Sequence, residues 1–254
     1  MGAGHGHALH FHGHSVVHRL PAHVKILALL GFVVAVVATP RESFWAHGVH
    51  ALVLAAVVLA SRVPLAYLGK RMVVEVPFLV FAILMPFIAT GPRVAVGPFE
   101  VSQAGLLGAW ALLAKGTLGV LASLLLAATT EARDIIAGFE KLRLPQPLVE
   151  IMSFMLRYTE VVAGELARMR IARESRGFRA RSIRQWPALG HTMGALFIRS
   201  YERGERVHLA MLSRGYAGHL PNLRPLSASG AQWAAGGVLP LLATGVCLAA
   251  VVAR

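Results

Sequence analysis

The amino-acid sequence predicts an all-α membrane protein with about five transmembrane helices and a cytoplasmic pair of long helices. Of its 254 residues, 56% are hydrophobic and 15% are charged, whereas soluble domains carry about a quarter charged residues. The apolar residues gather in long stretches that lack the alternation of barrel strands. Lipid is therefore the predicted solvent for much of the chain, which excludes a disordered protein, a disulfide-stapled secreted module and most cytosolic enzyme folds.

Five apolar stretches mark the predicted spans. They cover residues 24–40, 43–61, 73–91, 101–130 and 231–253. The first is short for a hydrocarbon core of about 30 Å, and Lys25 near its start is expected to snorkel toward the interface. The fifth is free of charge and is expected to kink at Pro240.

The fourth stretch is longer than one span requires. An unbroken helix over 101–130 would extend about 45 Å at 1.5 Å per residue. Either this helix is strongly tilted, or its first half lies at the interface and Lys115 marks a break. Lys115 itself is predicted to snorkel or to face other helices, in preference to lining a substrate path.

The distribution of positive charge predicts the orientation. The chain carries 25 Lys and Arg against 12 Asp and Glu, a formal net charge of +13. Region 131–230 alone holds 16 of the basic residues and 9 of the acidic ones. Because cytoplasmic loops are enriched in Lys and Arg, we expect five spans with the N-terminus inside and the C-terminus outside.

These observations divide the chain into four segments. We predict a His-rich tail over 1–23, a four-span region over 24–130, a cytoplasmic region over 131–230 and a C-terminal transmembrane helix over 231–254. The first 23 residues do not read as a cleavable signal peptide. The only cysteine is Cys247, so the chain cannot form an internal disulfide or a multi-cysteine metal site.

The cytoplasmic region predicts two long helices that end in the same short phrase. The first runs from about Pro147 to Arg176 and the second from about Pro187 to Arg214. A-R-E-S-R-G-F closes the first and A-M-L-S-R-G-Y closes the second. The arginines that follow the serines, Arg176 and Arg214, are 38 residues apart. Small residues on the facing sides are expected to let the helices cross closely. They are Gly164, Ser200 and Gly204.

Each phrase suits both the end of a helix and the binding of a partner. A glycine after a helical run readily adopts the left-handed conformation. The arginine before it presents a planar fork of five donors at the helix tip, and the aromatic packs against a partner or back onto the helix. Two copies on consecutive helices favour docking over capping alone. The residues of this candidate site are Ser175, Arg176, Gly177, Ser213, Arg214 and Gly215.

These features resemble the transmembrane (T) component of energy-coupling factor transporters, specifically the CbiQ type of cobalt uptake systems. The resemblance covers most of the chain. It is densest in L-R-L-P over 142–145, M-L-R-Y over 155–158 and the two runs 165–178 and 210–216. Ser175 stands where family members often have alanine, so one small residue replaces another at the cap.

The resemblance implies a transport scaffold that is not an enzyme. In such transporters two coupling helices rest in grooves on a pair of ABC-type ATPases, and a separate membrane subunit captures the substrate. Arg176 and Arg214 would be the coupling arginines, shaped by their serine and glycine neighbours. The implied partners are a CbiO-like ATPase dimer, a CbiM-like capture subunit, a small CbiN-like subunit and the lipid of the bacterial cytoplasmic (inner) membrane.

The same resemblance implies cobalt as the cargo, with a nickel or vitamin transporter as the alternative. The chain contains no GxxxxGK[ST] P-loop. No cofactor is therefore expected in this chain, and ATP with Mg²⁺ is expected on the partner ATPases.

Histidines suggest metal at two places, and at each the sequence favours an ordinary structural role. The head carries His5, His7, His10, His12 and His14. Their spacing is irregular, so a solvated tail is favoured over metal buffering and no metal site is predicted. His47 and His50 lie on one face of the second span, where interhelical hydrogen bonding is favoured over a ligand pair.

Two other function classes fit the sequence less well. A membrane-embedded enzyme would need clustered acids or an HExxH helix in or near the spans, where the acids are only Glu75 and, in short outer loops, Glu42 and Glu100. A nucleic-acid-binding protein would present a one-sided basic stripe. Acids are instead interleaved with the arginines of the cytoplasmic region, so no nucleic-acid partner is predicted. They are Glu160, Glu165, Glu174, Glu202 and Glu205.

Overall fold

The computed structural model describes residues 11, 13, 15–96, 99–178, 186–218 and 227–253. Within these ranges the chain is almost wholly helical and carries several long apolar helices, which confirms the all-α membrane fold. The chain divides into two compact units. We call Leu9–Leu142 with Leu226–Arg254 the membrane unit, and Met1–Ala8 with Arg143–Pro225 the helix-pair unit.

The elements follow one another in a simple order. The helices are α1 (Val16–Arg19), α2 (Ala22–Ala38), α3 (Phe44–Ser61), α4 (Leu65–Arg71), α5 (Val76–Ile88), α6 (Gln103–Thr129), α7 (Ala132–Lys141), α8 (Gln146–Ser175), α9 (Trp186–Leu212) and α10 (Gly230–Val252). A 3₁₀ turn over Met72–Glu75 joins α4 to α5. Between α5 and α6, strands β1 (Arg93–Val96) and β2 (Phe99–Ser102) pair antiparallel with Arg93 opposite Ser102.

Among the residues that the structure describes, four helical stretches are long and apolar enough to cross a membrane. They are Phe44–Ser61, Leu65–Ile88, Gln103–Thr129 and Gly230–Val252. The remaining apolar helix, α2, has 17 residues, which extend about 25 Å at 1.5 Å per residue. Because α2 packs against α6, α7 and α10, it is the central helix of the membrane unit.

The third apolar stretch begins earlier than the sequence predicts. Residues 62–72, which include Lys70 and Arg71, lie between the predicted second and third spans, but the chain is already helical from Leu65. Pro64 precedes this helix and favours its start. The Arg71 guanidinium lies 4.5 Å from the centroid of the Tyr67 ring, so its charge is accommodated within the helix.

Of the two alternatives for the fourth stretch, the structure excludes a break at Lys115. Helix α6 continues unbroken through this residue for 27 residues. The Lys115 Nζ donates a hydrogen bond to the Val37 carbonyl oxygen at 2.7 Å, so the ammonium is satisfied by a neighbouring helix. The first two residues of the stretch, Val101 and Ser102, belong to β2.

The predicted snorkelling of Lys25 is also wrong, because its ammonium turns into the protein. Lys25 is 8% exposed. Its Nζ donates to the Thr129 carbonyl oxygen at 2.8 Å and to Thr130 Oγ1 at 3.1 Å. The C-terminal end of a helix carries unpaired carbonyls and partial negative charge. The buried lysine therefore caps α6.

Small residues allow the helices of the membrane unit to approach closely. Gly31 on α2 faces Pro240 on α10, and an added Cβ would lie 2.7 Å from the proline Cβ. Gly236 on α10 lies against Val24 in the same way. Helix α10 continues through Pro240 as one element. Cys247, on the same helix, is a free thiol in the buried core.

We expect Gly105→Ala to weaken the contact between α5 and α6. A Cβ on Gly105 would lie 2.7 Å from the Pro86 Cα and 2.8 Å from the Met85 carbonyl oxygen, where backbone atoms leave no room. The free energy of unfolding in detergent micelles should fall by about 1–3 kcal/mol. Gly119→Ala is the matched control in α6, because its Cβ would meet nothing within 4 Å. An equal loss in both variants would contradict the close packing at Gly105.

Candidate functional site

Helix α8 ends in a Schellman motif. The Gly177 N–H donates to the Glu174 carbonyl oxygen at 3.0 Å, and the Phe178 N–H donates to the Arg173 carbonyl oxygen at 3.2 Å. Gly177 has a φ of 78°, in the left-handed region that glycine adopts without steric cost. These bonds satisfy carbonyl groups that the end of a helix otherwise leaves unpaired.

Helix α9 ends with the same bonds at the equivalent positions. The Gly215 N–H donates to the Leu212 carbonyl oxygen at 3.0 Å, and the Tyr216 N–H donates to the Met211 carbonyl oxygen at 3.0 Å. Gly215 has a φ of 81°. The two phrases therefore form the same local structure. We call residues 175–178 the first tip and residues 213–216 the second tip.

The serine of each tip completes the cap. Ser175 Oγ donates to the Ala172 carbonyl oxygen, and Ser213 Oγ donates to the Ala210 carbonyl oxygen, each at 3.0 Å. Each alanine lies four residues before the arginine of its tip. The alanine and serine that the two phrases share are therefore partners in one hydrogen bond, which satisfies a further carbonyl of the last turn.

The arginines of the two tips are exposed and available to a partner. Arg176 and Arg214 each follow the last turn of their helix, and both are exposed. Neither guanidinium forms a hydrogen bond or an ion pair with another residue in the described part of the chain. Their N–H donors can therefore reach carboxylates or carbonyl oxygens on another molecule.

Among the described residues, side-chain contacts join α8 to α9 and to the turn after it, near each end and in the middle. They are Arg173–Thr192, Tyr216–Glu150 and Glu165–Arg199. Since Arg173 lies near the end of α8 and Thr192 near the start of α9, the helices are antiparallel. The two tips therefore lie at opposite ends of the pair, about 40 Å apart for helices of 30 and 27 residues.

The contact in the middle is a carboxylate between two arginines. Glu165 accepts hydrogen bonds from Arg168 Nη2 at 2.7 Å and from Arg199 Nη1 at 2.6 Å. These two guanidinium groups hold the pKa of the Glu165 carboxyl below its usual range. The carboxylate thereby links a residue of its own helix to the facing helix.

The aromatic residue of each tip packs back onto the helix-pair unit. Phe178 lies under the Arg173 guanidinium, at 5.4 Å from the ring centroid. Tyr216 packs edge-on against His208, with the ring centroids 6.4 Å apart, and its hydroxyl donates to the Glu150 carboxylate. This hydrogen bond raises the pKa of Tyr216 above its ordinary value.

A cavity of about 860 Å³ separates the facing sides of α8 and α9. Its lining is mostly apolar and includes Val162, Leu166 and Val207. Gly204 also lines it, and an added Cβ there would meet nothing within 4 Å. The predicted close crossing at Gly164, Ser200 and Gly204 is therefore wrong, because neither glycine lies against the facing helix: an added Cβ on Gly164 would meet only Arg168 Nη1 of its own helix, at 3.6 Å.

The segment that contains the two tips matches a known protein family. A family model described as "CbiQ: Cobalt transport protein" matches residues 13–225, which include both tips. The chain belongs to the CbiQ family. The resemblance that the sequence suggests is thereby confirmed.

Relatives in this family are named as transport components. The energy-coupling factor transporter transmembrane protein EcfT of Bacillus selenitireducens is 30% identical over 220 residues, 81% of either chain. The cobalt transport protein CbiQ of Rhodobacter capsulatus is 29% identical over 201 residues, 79% of this chain and 80% of the relative. A Methanocorpusculum labreanum protein named as a fusion, cobalt transport protein CbiMQ, is 24% identical over 212 residues, 80% of this chain and 35% of that protein.

The chain is thus a multi-pass membrane component of an energy-coupling factor transporter of the CbiQ type. The names of its relatives describe transmembrane transport proteins and not enzymes. Glu75, the acid within the spans, accepts a hydrogen bond from the Thr117 hydroxyl and so has a structural partner.

The histidines separate into two sets. Those of the head, His5, His7, His10, His12 and His14, lie outside the described residues. Across the ranges that the structure does describe, no group of three or more His, Cys, Asp or Glu could hold a metal ion. His50 Nε2 lies 3.1 Å from Thr39 Oγ1 at the end of α2, which is the expected interhelical hydrogen bond. His47 Nδ1 donates to the Ser43 carbonyl oxygen at 3.0 Å.

Sequence reasoning missed the residues that connect the two helices. Glu150 and Tyr216 are 66 residues apart, and no local pattern relates them. Arg173 belongs to the phrase that closes the first helix, but nothing in the sequence pairs it with Thr192. One signal was available in the sequence: the two phrases differ in their aromatic residue, and only the second carries a hydroxyl.

We expect acid to loosen the middle of the helix pair. Because the pKa of Glu165 is lowered, its stabilising contribution is present above the unfolded carboxyl's pKa of about 4.3 and is lost as the pH falls through the lowered pKa. Distances between spin labels on α8 and α9 should widen in that acid range. Glu165→Gln should show the wider distances already at neutral pH.

Glu160→Gln is the matched control for this experiment. Glu160 is an exposed carboxylate on the same helix, and its loss should leave the distances and their pH dependence unchanged. Wild-type distances in Glu165→Gln at neutral pH would show that the carboxylate does not join the helices.

Proposed function

We propose that this chain is the scaffold subunit of an energy-coupling factor importer for cobalt ions. In this function Arg176 and Arg214 dock onto a pair of ABC-type ATPases, and the chain transmits nucleotide-driven movement to a membrane subunit that captures the ion. Ser175, Gly177, Ser213 and Gly215 hold the two helix ends in the docking conformation.

One observation carries the proposal: the chain presents two equivalent cationic tips at opposite ends of one helix pair. Each tip has the same backbone hydrogen bonds and the same serine bond. A duplicated site of this kind suits a partner that is itself duplicated, such as an ATPase dimer. Because the arginine forks are exposed, carboxylates or carbonyls in a groove on each ATPase would complete their hydrogen bonding.

The ATPase activity belongs to the partners in this proposal. The sequence contains no P-loop, and the backbone cradle for phosphates and Mg²⁺ depends on that motif in P-loop ATPases. ATP and Mg²⁺ are therefore bound by CbiO-like subunits. The fused relative named CbiMQ supports a CbiM-like capture subunit as a neighbour, and a small CbiN-like subunit completes the complex.

We also propose the orientation in the bacterial cytoplasmic (inner) membrane. Region 131–230, which is rich in Lys and Arg, faces the cytoplasm, and the N-terminus lies on the same side. This region joins the four-span region 24–130 to the C-terminal transmembrane helix 231–254. The tips are then accessible to ATPases, which draw their nucleotide from the cytoplasm.

We expect charge reversal at the tips to break coupling. In the protein carrying Arg176→Glu and Arg214→Glu, a carboxylate replaces each guanidinium, and binding of the ATPases should weaken at least about tenfold. The measurements are co-purification of the ATPases from membranes that contain the whole complex, and ATP-dependent uptake of radiolabelled cobalt(II). Each should fall close to background.

Arg157→Glu provides the control for charge alone. Arg157 is exposed on α8, about 28 Å along the helix from Arg176. Its reversal should leave co-purification and uptake unchanged. Normal complex formation and normal uptake in the double variant would refute docking at the tips, as would ATP hydrolysis by the isolated chain.

We expect cobalt to be preferred over nickel. The complex reconstituted in proteoliposomes should take up radiolabelled cobalt(II) in an ATP-dependent manner, and nickel(II) more slowly at equal concentration. The alternatives within the same role are nickel or a vitamin. Faster uptake of nickel, or uptake of neither metal, would contradict the cobalt assignment. The scaffold role is tested separately, by the co-purification experiment.

A further inference from the structure

The two tips share their cap and differ in one functional group. Phe178 and Tyr216 occupy the same position of the Schellman motif, and each donates its backbone N–H to the carbonyl five residues earlier. The phenol hydroxyl of Tyr216 has no counterpart at the first tip. The consequence of this hydroxyl is therefore a property of the second tip alone.

In the described part of the chain, the first tip contacts the facing helix through two side chains in series. Phe178 contacts the Arg173 guanidinium through its ring face, and Arg173 Nη1 donates to Thr192 Oγ1 near the start of α9 at 2.9 Å. The threonine hydroxyl is a neutral acceptor. Movement of the first tip relative to α9 can therefore be absorbed by rotation of the arginine side chain.

The second tip reaches the facing helix directly. The Tyr216 hydroxyl donates to Glu150 Oε2, on the first turns of α8. The other carboxylate oxygen of Glu150 lies 3.5 Å from Gln146 Nε2. Tyr216 is held on its other side by the edge-on contact with His208. Hydrogen bonds to a carboxylate are roughly twice as strong as those between neutral groups.

The hydrogen bond is made at the start of α8, which directly follows the covalent connection from the membrane unit. The chain enters α8 from the membrane unit through Arg143, which has a φ of 61°, and Pro145. Pro145 restricts the backbone, because its ring fixes its own φ and limits the conformation of the residue before it, while Arg143 has a left-handed conformation that residues other than glycine rarely adopt. A force applied at the first turns of α8 is therefore applied beside the covalent connection between the two units.

We propose that the Tyr216–Glu150 hydrogen bond is the rigid link by which the second tip passes movement of its ATPase to the start of α8. The link rests on the proposed function of the tips. Tyr216 and Glu150 are positioning residues, because neither contacts nucleotide or cargo. The two tips then act on α8 in different ways: the second acts on its start through this hydrogen bond, and the first, as the C-terminal end of α8, acts on it through the helix backbone.

The first experiment measures coupling in the whole complex. Tyr216→Phe places at the second tip the aromatic residue that the first tip already carries, so the cap itself is preserved. ATPase co-purification and the rate of ATP hydrolysis should stay at wild-type levels, while uptake of radiolabelled cobalt(II) per ATP hydrolysed falls by about three- to tenfold. Tyr201→Phe is the matched control, since Tyr201 is a 64% exposed tyrosine on the same helix.

The second experiment measures the link itself and needs no partner. Spin labels on Ile151→Cys and Leu209→Cys, in a Cys247→Ala background, report the distance between the start of α8 and the end of α9. Both label sites are exposed. The distance distribution should broaden in Tyr216→Phe and in Glu150→Ala. It should stay narrow in Tyr201→Phe and in Glu150→Gln, whose amide oxygen still accepts the hydrogen bond.

The outcomes separate this inference from the proposed function. An unchanged distance distribution in Tyr216→Phe would overturn the link, and so would a broadened distribution with unchanged uptake per ATP. If the tips do not bind the ATPases, a different experiment shows it: the protein carrying Arg176→Glu and Arg214→Glu then co-purifies with the ATPases normally. Two results together support the link. Tyr216→Phe should show a broad distance distribution and low uptake per ATP. Glu150→Gln should show a narrower distribution and higher uptake per ATP than Glu150→Ala.

Discussion

An α-helix that stops must find partners for its last carbonyl groups, and the helix-pair unit depends on how its two helices meet this constraint. Both turn through a left-handed glycine, which brings the next two N–H groups back onto the final turn. A serine hydroxyl satisfies one carbonyl more. The backbone is then complete without the arginine side chain. Arg176 and Arg214 are therefore held in position by their helix ends while their guanidinium groups stay free of internal bonds to other described residues.

The spacing of the tips depends on weaker interactions than their shape does. Helices α8 and α9 are joined by polar contacts, and an apolar cavity lies between them where a close-packed crossing would otherwise fix the angle. Exposed ion pairs contribute about 0 to 1 kcal/mol each. A change in the distance between the tips therefore costs little, whereas a change in the shape of a tip costs backbone hydrogen bonds. Such a unit moves its two tips as rigid ends on a deformable frame.

The sequence predicts what depends on local pattern and fails where distant residues meet. Apolar length and the repeated Ser-Arg-Gly phrase were enough for the spans, the two long helices and their ends. The snorkelling of Lys25 was wrong because its ammonium finds a carbonyl on another helix, which charge alone does not reveal, and Lys115 does not break α6. Glycine content likewise predicted a close crossing of α8 and α9, but Gly164 and Gly204 do not lie against the facing helix.

The membrane unit shows the opposite balance, and the contrast has a mechanical consequence. Its helices approach through Gly31, Gly105 and Gly236, where no Cβ fits. Its buried lysine, Lys25, is bound to the end of α6. Close packing of this kind resists deformation, because every displacement creates a clash or a void. In the part of the chain that the structure describes, the spans therefore resist deformation more than the polar middle of the helix pair does, where Glu165 and Arg199 meet.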